Sequence, residues 1–100
     1  MREEGLIAVY MLSNHRHGTI YIGVTGHLLQ RMHQHQSGHT PGFVSRYGLN
    51  RLVWYEVHDS IEVAIQRETS LKRYLRAWKI KLIEQQNPGW NDLWTDLVRG

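Results

Sequence analysis

An α+β fold is predicted for this chain of 100 residues: a small three-stranded sheet, mixed or antiparallel, flanked by helices in the order β-β-α-β-α-α. Three observations carry the prediction. Two short apolar, β-branched and aromatic runs, at 6–12 and 19–24, are separated by a polar stretch that ends in glycine. A third such run lies at 52–57. From 61 to about 86 the apolar residues recur instead at spacings of three and four, the period of a helix.

Leu6 to Leu12 is apolar throughout, as a strand buried on both faces requires. Thr19 to Val24 is the second strand, and Asn14 to Gly18 fits a hairpin loop, so these two strands run antiparallel. Thr25 is placed to cap a helix over about Leu28 to Gln36, with Leu28, Leu29 and Met32 on its inner side. Ser37 to Gly42 holds two glycines and a proline and reads as a loop. After the strand at 52–57, Asp59 or Ser60 opens a helix, with Asp59 and Glu62 spaced like a capping box. The long helical stretch is predicted to be two helices bent near Arg76, although no glycine or proline marks the bend. Its buried stripe is Val63, Ala64, Leu71, Leu75, Trp78, Leu82 and Ile83. Asn87-Pro88-Gly89 ends it, and Trp90 to Trp94 begins a short helix or turn whose tryptophans cover the core. Neither repeat nor linker interrupts the chain, which reads as one domain with a core over about 6–93.

Composition narrows the class. Apolar residues make up 41% of the chain and include four tryptophans, enough for a packed core and against disorder. With no cysteine, disulfides and thiolate zinc fingers are excluded. The apolar runs are too short to span a bilayer, and Met1-Arg2-Glu3-Glu4 does not open like a secretory signal, so a cytoplasmic location is expected. The net charge of +3 is modest, but its distribution is not even. Between Arg67 and Lys81 six basic residues face one acid, Glu68, a balance that suits a phosphate backbone. Lys72, Arg76 and Lys79, spaced by four and three, together with Arg73, are the candidate nucleic-acid contacts. A solvated helix face is the competing explanation of the same spacing.

Candidate chemistry is spread over separate elements. Tyr10 and Tyr21 lie on adjacent strands and can share a pocket in the right register, though tyrosine is also a favoured strand residue in its own right. Arg31 and His35 stand one helical turn apart, offering a planar donor fork for phosphate and a group that titrates near neutrality. Glu68 fits an ion pair with Lys72 four residues on, or a single carboxylate for Mg²⁺, an ion that keeps several waters and needs no dense acidic cluster. The seven histidines raise a second metal reading, zinc held by His33, His35 and His39 with His15 or His17. A spacing of two on a helix sends His33 and His35 to different faces, which counts against it.

These residues, taken in order, resemble the GIY-YIG nuclease superfamily (URI domain), specifically its small standalone members. The resemblance runs from about Leu6 to Leu93. Tyr21-Ile22-Gly23-Val24-Thr25 followed by Leu28-x-x-Arg31-Met32-x-x-His35 matches the family's second strand and first helix. Asp59-Ser60-x-x-x-Ala64-x-x-Arg67-Glu68-x-x-Leu71-Lys72 matches the segment with its metal-binding glutamate, and Asn87-Pro88-x-Trp90-x-Asp92-Leu93 a tail common in the standalone branch. The resemblance implies a metal-dependent DNA endonuclease with one Mg²⁺ or Mn²⁺ at Glu68. It implies that Tyr10 activates the attacking water, that Tyr21 orients water or phosphate, that Arg31 stabilises phosphoryl charge and that His35 assists. Branched or single-stranded DNA in repair or recombination, with a protein partner supplying specificity, is the expected setting. The alternative is a catalytically weak or inactive nucleic-acid-binding module. Three departures are visible. Ala8-Val9 replaces Gly-Ile, Val24 stands where many active members have lysine, and Asn87 fits either a substrate contact or a helix end.

Overall fold

The computed structural model describes residues 6–36 and 47–99. The expected loop at 37–42 and His39 lie outside the described residues. Strands β1 (Ile7–Ser13), β2 (Ile20–Thr25) and β3 (Arg51–His58) form one sheet in the order β2-β1-β3. Both pairings are antiparallel, so the sheet is antiparallel throughout. Helices α1 (Leu28–Gln36), α2 (Ile61–Lys72), α3 (Arg76–Gln86) and α4 (Trp94–Arg99) complete the described architecture.

The unbroken apolar run of β1 is explained by its central place. Every residue from Ala8 to Ser13 is buried, and alternate side chains serve opposite faces. Val9 and Met11 join Ile22, Val53 and Trp54 under Ala64 and Leu71 of α2, Ile83 of α3, and Trp90. Ala8, Tyr10 and Leu12 join Leu52 and Leu49 under Leu28 and Met32 of α1. The sheet is thus a partition between two cores.

β3 departs from a regular ladder. Met11 pairs with Trp54 and Leu12 with Leu52, which leaves Val53 without a partner on β1. The shift turns Val53 and Trp54 to the same face, and the Val53 carbonyl receives a hydrogen bond from Asn87 Nδ2 at 3.0 Å. Asn87 is buried, also donates to the Asn91 carbonyl, and its Oδ1 accepts from the Asn91 N–H. It ends α3 and braces the bulge, so all of its side-chain capacity on view is spent on backbone.

Several local expectations shift. The cap of α2 is Ser60, whose side chain accepts from the Val63 N–H. This moves the frame by one residue, so Glu62 does not close a reciprocal box with Asp59 but sits in the first turn, where its charge suits the helix dipole. Thr25 Oγ1 accepts from the His27 N–H at 3.0 Å, turning the chain just ahead of α1. The bend near Arg76 is a full break: Leu75 is extended and caps α3 with no side-chain bond. Arg76 Nη2 ties the new helix to the hairpin by donating to the carbonyls of His17 (2.6 Å) and Gly18 (2.7 Å). Because the break resets the helical phase, Leu75 and Trp78 leave the buried stripe and are 61% and 54% exposed. Val63 and Leu29 also face outward. Among the described residues no helix is long and apolar enough to cross a membrane.

Candidate active site

The pocket is built around Tyr10. On one side Tyr10 pairs with Gly23 and on the other with Tyr55, while Tyr21 pairs with Leu12. Paired residues in an antiparallel ladder share a face, as do residues two apart on a strand, so Tyr10 and Tyr21 emerge on the same side. Their ring centroids are 6.3 Å apart. Gly23 is explained by space. A Cβ there would lie 2.6 Å from both Cζ and the hydroxyl oxygen of Tyr10, because that ring crosses over the glycine towards β2, an edge strand of the sheet.

α1 closes this face. Leu28, Met32 and His35 are buried at positions i, i+4 and i+7, and Arg31 is half-buried beside them. Arg31 and His35 therefore lie on the inward stripe, where spacing alone equally allowed a solvated face. The His35 ring stands 6.0 Å from that of Tyr10. Three buried polar atoms here make no hydrogen bond: the Tyr10 hydroxyl and both ring nitrogens of His35. The Arg31 guanidinium is within electrostatic reach of the hydroxyl, yet no bond of good geometry joins them.

Burial pushes the Tyr10 hydroxyl up to about 12, with the neighbouring Tyr21 and the negative charge of Glu68 adding to the rise and Arg31 opposing it. Burial also holds His35 below its usual value, and the positive charge of Arg31 acts in the same direction. At neutral pH the phenol is protonated and the imidazole uncharged. The Glu68 side chain is only 15% exposed and accepts from Lys72 Nζ at 2.9 Å, so the ion-pair reading of this pair is realised. Its negative charge also acts on Tyr10, from the helix whose Ala64 and Leu71 pack on the other face of the sheet. Tyr10, Tyr21, Arg31 and His35 gather on the α1 face of the sheet, and the charge of Glu68 reaches Tyr10 from α2.

The donor set suits a hard divalent ion. Glu68 supplies one carboxylate and the Tyr10 hydroxyl is buried without a bond, a donor set that fits an ion completed by water and phosphate oxygens. The zinc reading finds no support among the described residues, where no group of three or more histidines and carboxylates is disposed to hold an ion. His33 is exposed while His35 is buried, and His17 is bonded to Glu84 at 2.8 Å on the hairpin.

The candidate nucleic-acid contacts do not form one stripe. Lys72 ends α2 and Arg76 begins α3, so the spacing of four and three spans the break, and Arg76 is committed to loop carbonyls. Arg73 is exposed and Lys79 half-buried. Val24 pairs with Val9 and packs on the α2 side of the sheet, so that departure from the family pattern touches the opposite core and not the wall of the Tyr10 pocket. Ala8 is fully buried in the core layer that contains Tyr10. Sequence reasoning left out Tyr55, which the register places beside Tyr10 on the same face.

Comparison with known proteins identifies the family. The family model of the GIY-YIG catalytic domain matches residues 6–81, a span that holds Tyr10, Tyr21, Arg31, His35 and Glu68 and leaves out Asn87. A UPF0213 protein of Aeromonas salmonicida (strain A449) is 28% identical over 83 residues, covering 81% of this chain and 61% of that protein. The chain thus spans about three-fifths of that relative's length. A UPF0213 protein of Syntrophus aciditrophicus (strain SB) is 35% identical over 74 residues, 70% of this chain and 80% of its own. No solved structure matches. With its family match, its ordered motifs and its antiparallel α+β core in agreement, the chain belongs to the GIY-YIG catalytic domain family, alongside UPF0213 proteins.

Proposed function

We propose that this chain is a metal-dependent endonuclease that hydrolyses DNA phosphodiester bonds in the Tyr10 pocket, with one Mg²⁺ or Mn²⁺ held at Glu68. The observation that carries the reading is the Tyr10 hydroxyl, wholly buried and without a hydrogen-bond partner beside Tyr21, Arg31 and His35, with the charge of Glu68 acting on it. Leaving such a group unbonded costs about 1–3 kcal/mol. A phosphate or water oxygen entering the pocket removes that cost.

The electrostatics favour one division of roles. With a value of about 12, ionising Tyr10 at pH 7 takes five decades, about 7 kcal/mol. Tyr10 therefore acts as a hydrogen-bond donor that orients phosphate or water, together with Tyr21. His35 is uncharged and has free ring nitrogens, so it is the group able to accept the water's proton at neutral pH. Arg31 stabilises the charge that gathers on the phosphoryl oxygens. When bound, the ion supplies Lewis-acid stabilisation of the developing oxyanion and offsets the carboxylate charge that raises Tyr10. The expected substrates are branched or single-stranded DNA met in repair or recombination, with a protein partner refining specificity.

A second reading, a nucleic-acid-binding module without catalysis, draws on the Glu68–Lys72 pair and on the protonated Tyr10. Incubating the purified protein with supercoiled, branched and single-stranded DNA, with and without Mg²⁺ or Mn²⁺, separates the two. Metal-dependent product is the expected result. Binding without product under either ion assigns the module instead.

A further inference from the structure

We propose that a cleft along α3, away from the Tyr10 pocket, takes an unpaired base of a single-stranded DNA segment. The cleft has a volume of about 340 Å³ and is lined by Tyr74, Trp78, Lys81, Leu82 and Gln85. That is the size of a small-molecule site. The lining residues step by four, three, one and three along the chain, so they share one face of α3 and the turn before it. Trp78 is 54% exposed, and the Tyr74 ring meets it edge-on at 5.6 Å, which steadies the indole as a platform.

Charge chooses the occupant. Arg73, Lys79 and Lys81 have no carboxylate partner among the described residues, while Glu84, the acid of α3, is engaged by His17 and by the Trp90 indole. An aromatic face bordered by unpaired cations matches a nucleotide: the base stacks on Trp78 and its phosphates meet the lysines. The Gln85 amide offers both a donor and an acceptor to the edge of a base. A duplex keeps its bases stacked inside and cannot use the cleft, so the site favours single strands. The turn at 73–75 joins the cleft to the end of α2, about one helical turn beyond Glu68, so a strand held here continues past Arg73 and Lys72 towards the proposed cleavage site. The inference takes from the nuclease reading only that the ligand is DNA.

The test is fluorescence titration of the protein in EDTA with oligo(dT) and with a duplex of equal length. Trp54 and Trp90 are buried and Trp94 partly so, which leaves Trp78 as the most accessible indole to quench. Oligo(dT) is expected to quench the wild type and not Trp78→Phe. Trp78→Ala, at an exposed position the fold tolerates, is expected to weaken oligo(dT) binding about 5- to 150-fold, the ~1–3 kcal/mol of one stacked base, and duplex binding less than about 2-fold. Unchanged oligo(dT) affinity in Trp78→Ala, or an equal loss for duplex, overturns the proposal. If, besides unchanged affinity, the wild type self-associates and Trp78→Ala does not, the cleft belongs to a protein contact. Binding is read without metal, so the two readings fail separately. Cleavage with unchanged binding in Trp78→Ala sinks only the cleft, and quenching without cleavage sinks only the nuclease.

Discussion

Tyr10→Phe removes one oxygen from the middle of the sheet, and the structure predicts opposite effects on stability and activity. The hydroxyl is fully buried and bonded to nothing, so the folded protein carries its desolvation penalty of about 1–3 kcal/mol. Phenylalanine keeps the ring over Gly23 and its contacts with Tyr21 and His35 while leaving a void of one atom. Part of the gain is lost to that void, and a net stabilisation of about 1 kcal/mol remains. In a domain of this size, that raises the midpoint of thermal unfolding by about 4–8 °C. The assay is thermal unfolding of both proteins without metal or DNA. A lower midpoint for the variant refutes the reasoning, because it means that the hydroxyl is bonded to Arg31 in solution and is not waiting for a ligand. Cleavage should fall about 10- to 150-fold, the worth of one hydrogen bond to a charged group at ~1.5–3 kcal/mol. Total loss would make Tyr10 the base and displace His35 from that role.

Three further outcomes follow from the same geometry. Gly23→Ala places a methyl 2.6 Å from Tyr10, a ring with no space to retreat, and should destabilise by about 1–3 kcal/mol and impair cleavage; a fully stable, fully active variant contradicts the packing account. His35 has a folded value below its usual 6.5, so its contribution to stability is complete above that pH and is lost as acid protonates the unfolded chain first. Urea midpoints at pH 8 and pH 5 should accordingly differ more for wild type than for His35→Phe, and equal differences would show that the ring is solvated. Asn87→Ala strands the Val53 carbonyl and should cost about 1–3 kcal/mol while cleavage per folded molecule stays constant; unchanged stability with lost cleavage would return Asn87 to the substrate.

Residue pattern made the sheet and its central strand legible, because a strand buried on both faces has to be apolar throughout, and Leu6 to Leu12 is. Tyr10 and Tyr21 were legible as neighbours once a hairpin was inferred, since the strand period of two fixes their common face when the register is right. Other features depend on contacts distant in sequence. The inward turn of Arg31 and His35 needs α1 to lie over Tyr10, and no local periodicity distinguishes that face from a solvated one. The break before Arg76 is held by carbonyls 58 and 59 residues away, so a helix-favouring run with neither glycine nor proline hid the change of phase that exposes Trp78. The frame of the α2 cap moved by one residue because Asp59 and Ser60 are both good caps, and only the backbone chooses between them. The rise in Tyr10 is likewise a tertiary effect: burial outweighs the nearby Arg31, which charge counting alone would have expected to win.

The central claim rests on the Glu68 carboxylate, and the most direct measurement is the rate of metal-dependent DNA cleavage by Glu68→Gln beside the wild type. Glutamine keeps the shape and a neutral oxygen but removes the charge that would hold Mg²⁺ or Mn²⁺. The pair with Lys72 that it sacrifices, spaced i, i+4 with its ammonium in solvent, is worth only a few tenths of a kcal/mol, so folding should be intact. The account predicts cleavage by wild type that chelation of the metal abolishes, and none by a Glu68→Gln variant of unchanged unfolding midpoint. Cleavage at the wild-type rate by the folded variant would contradict it.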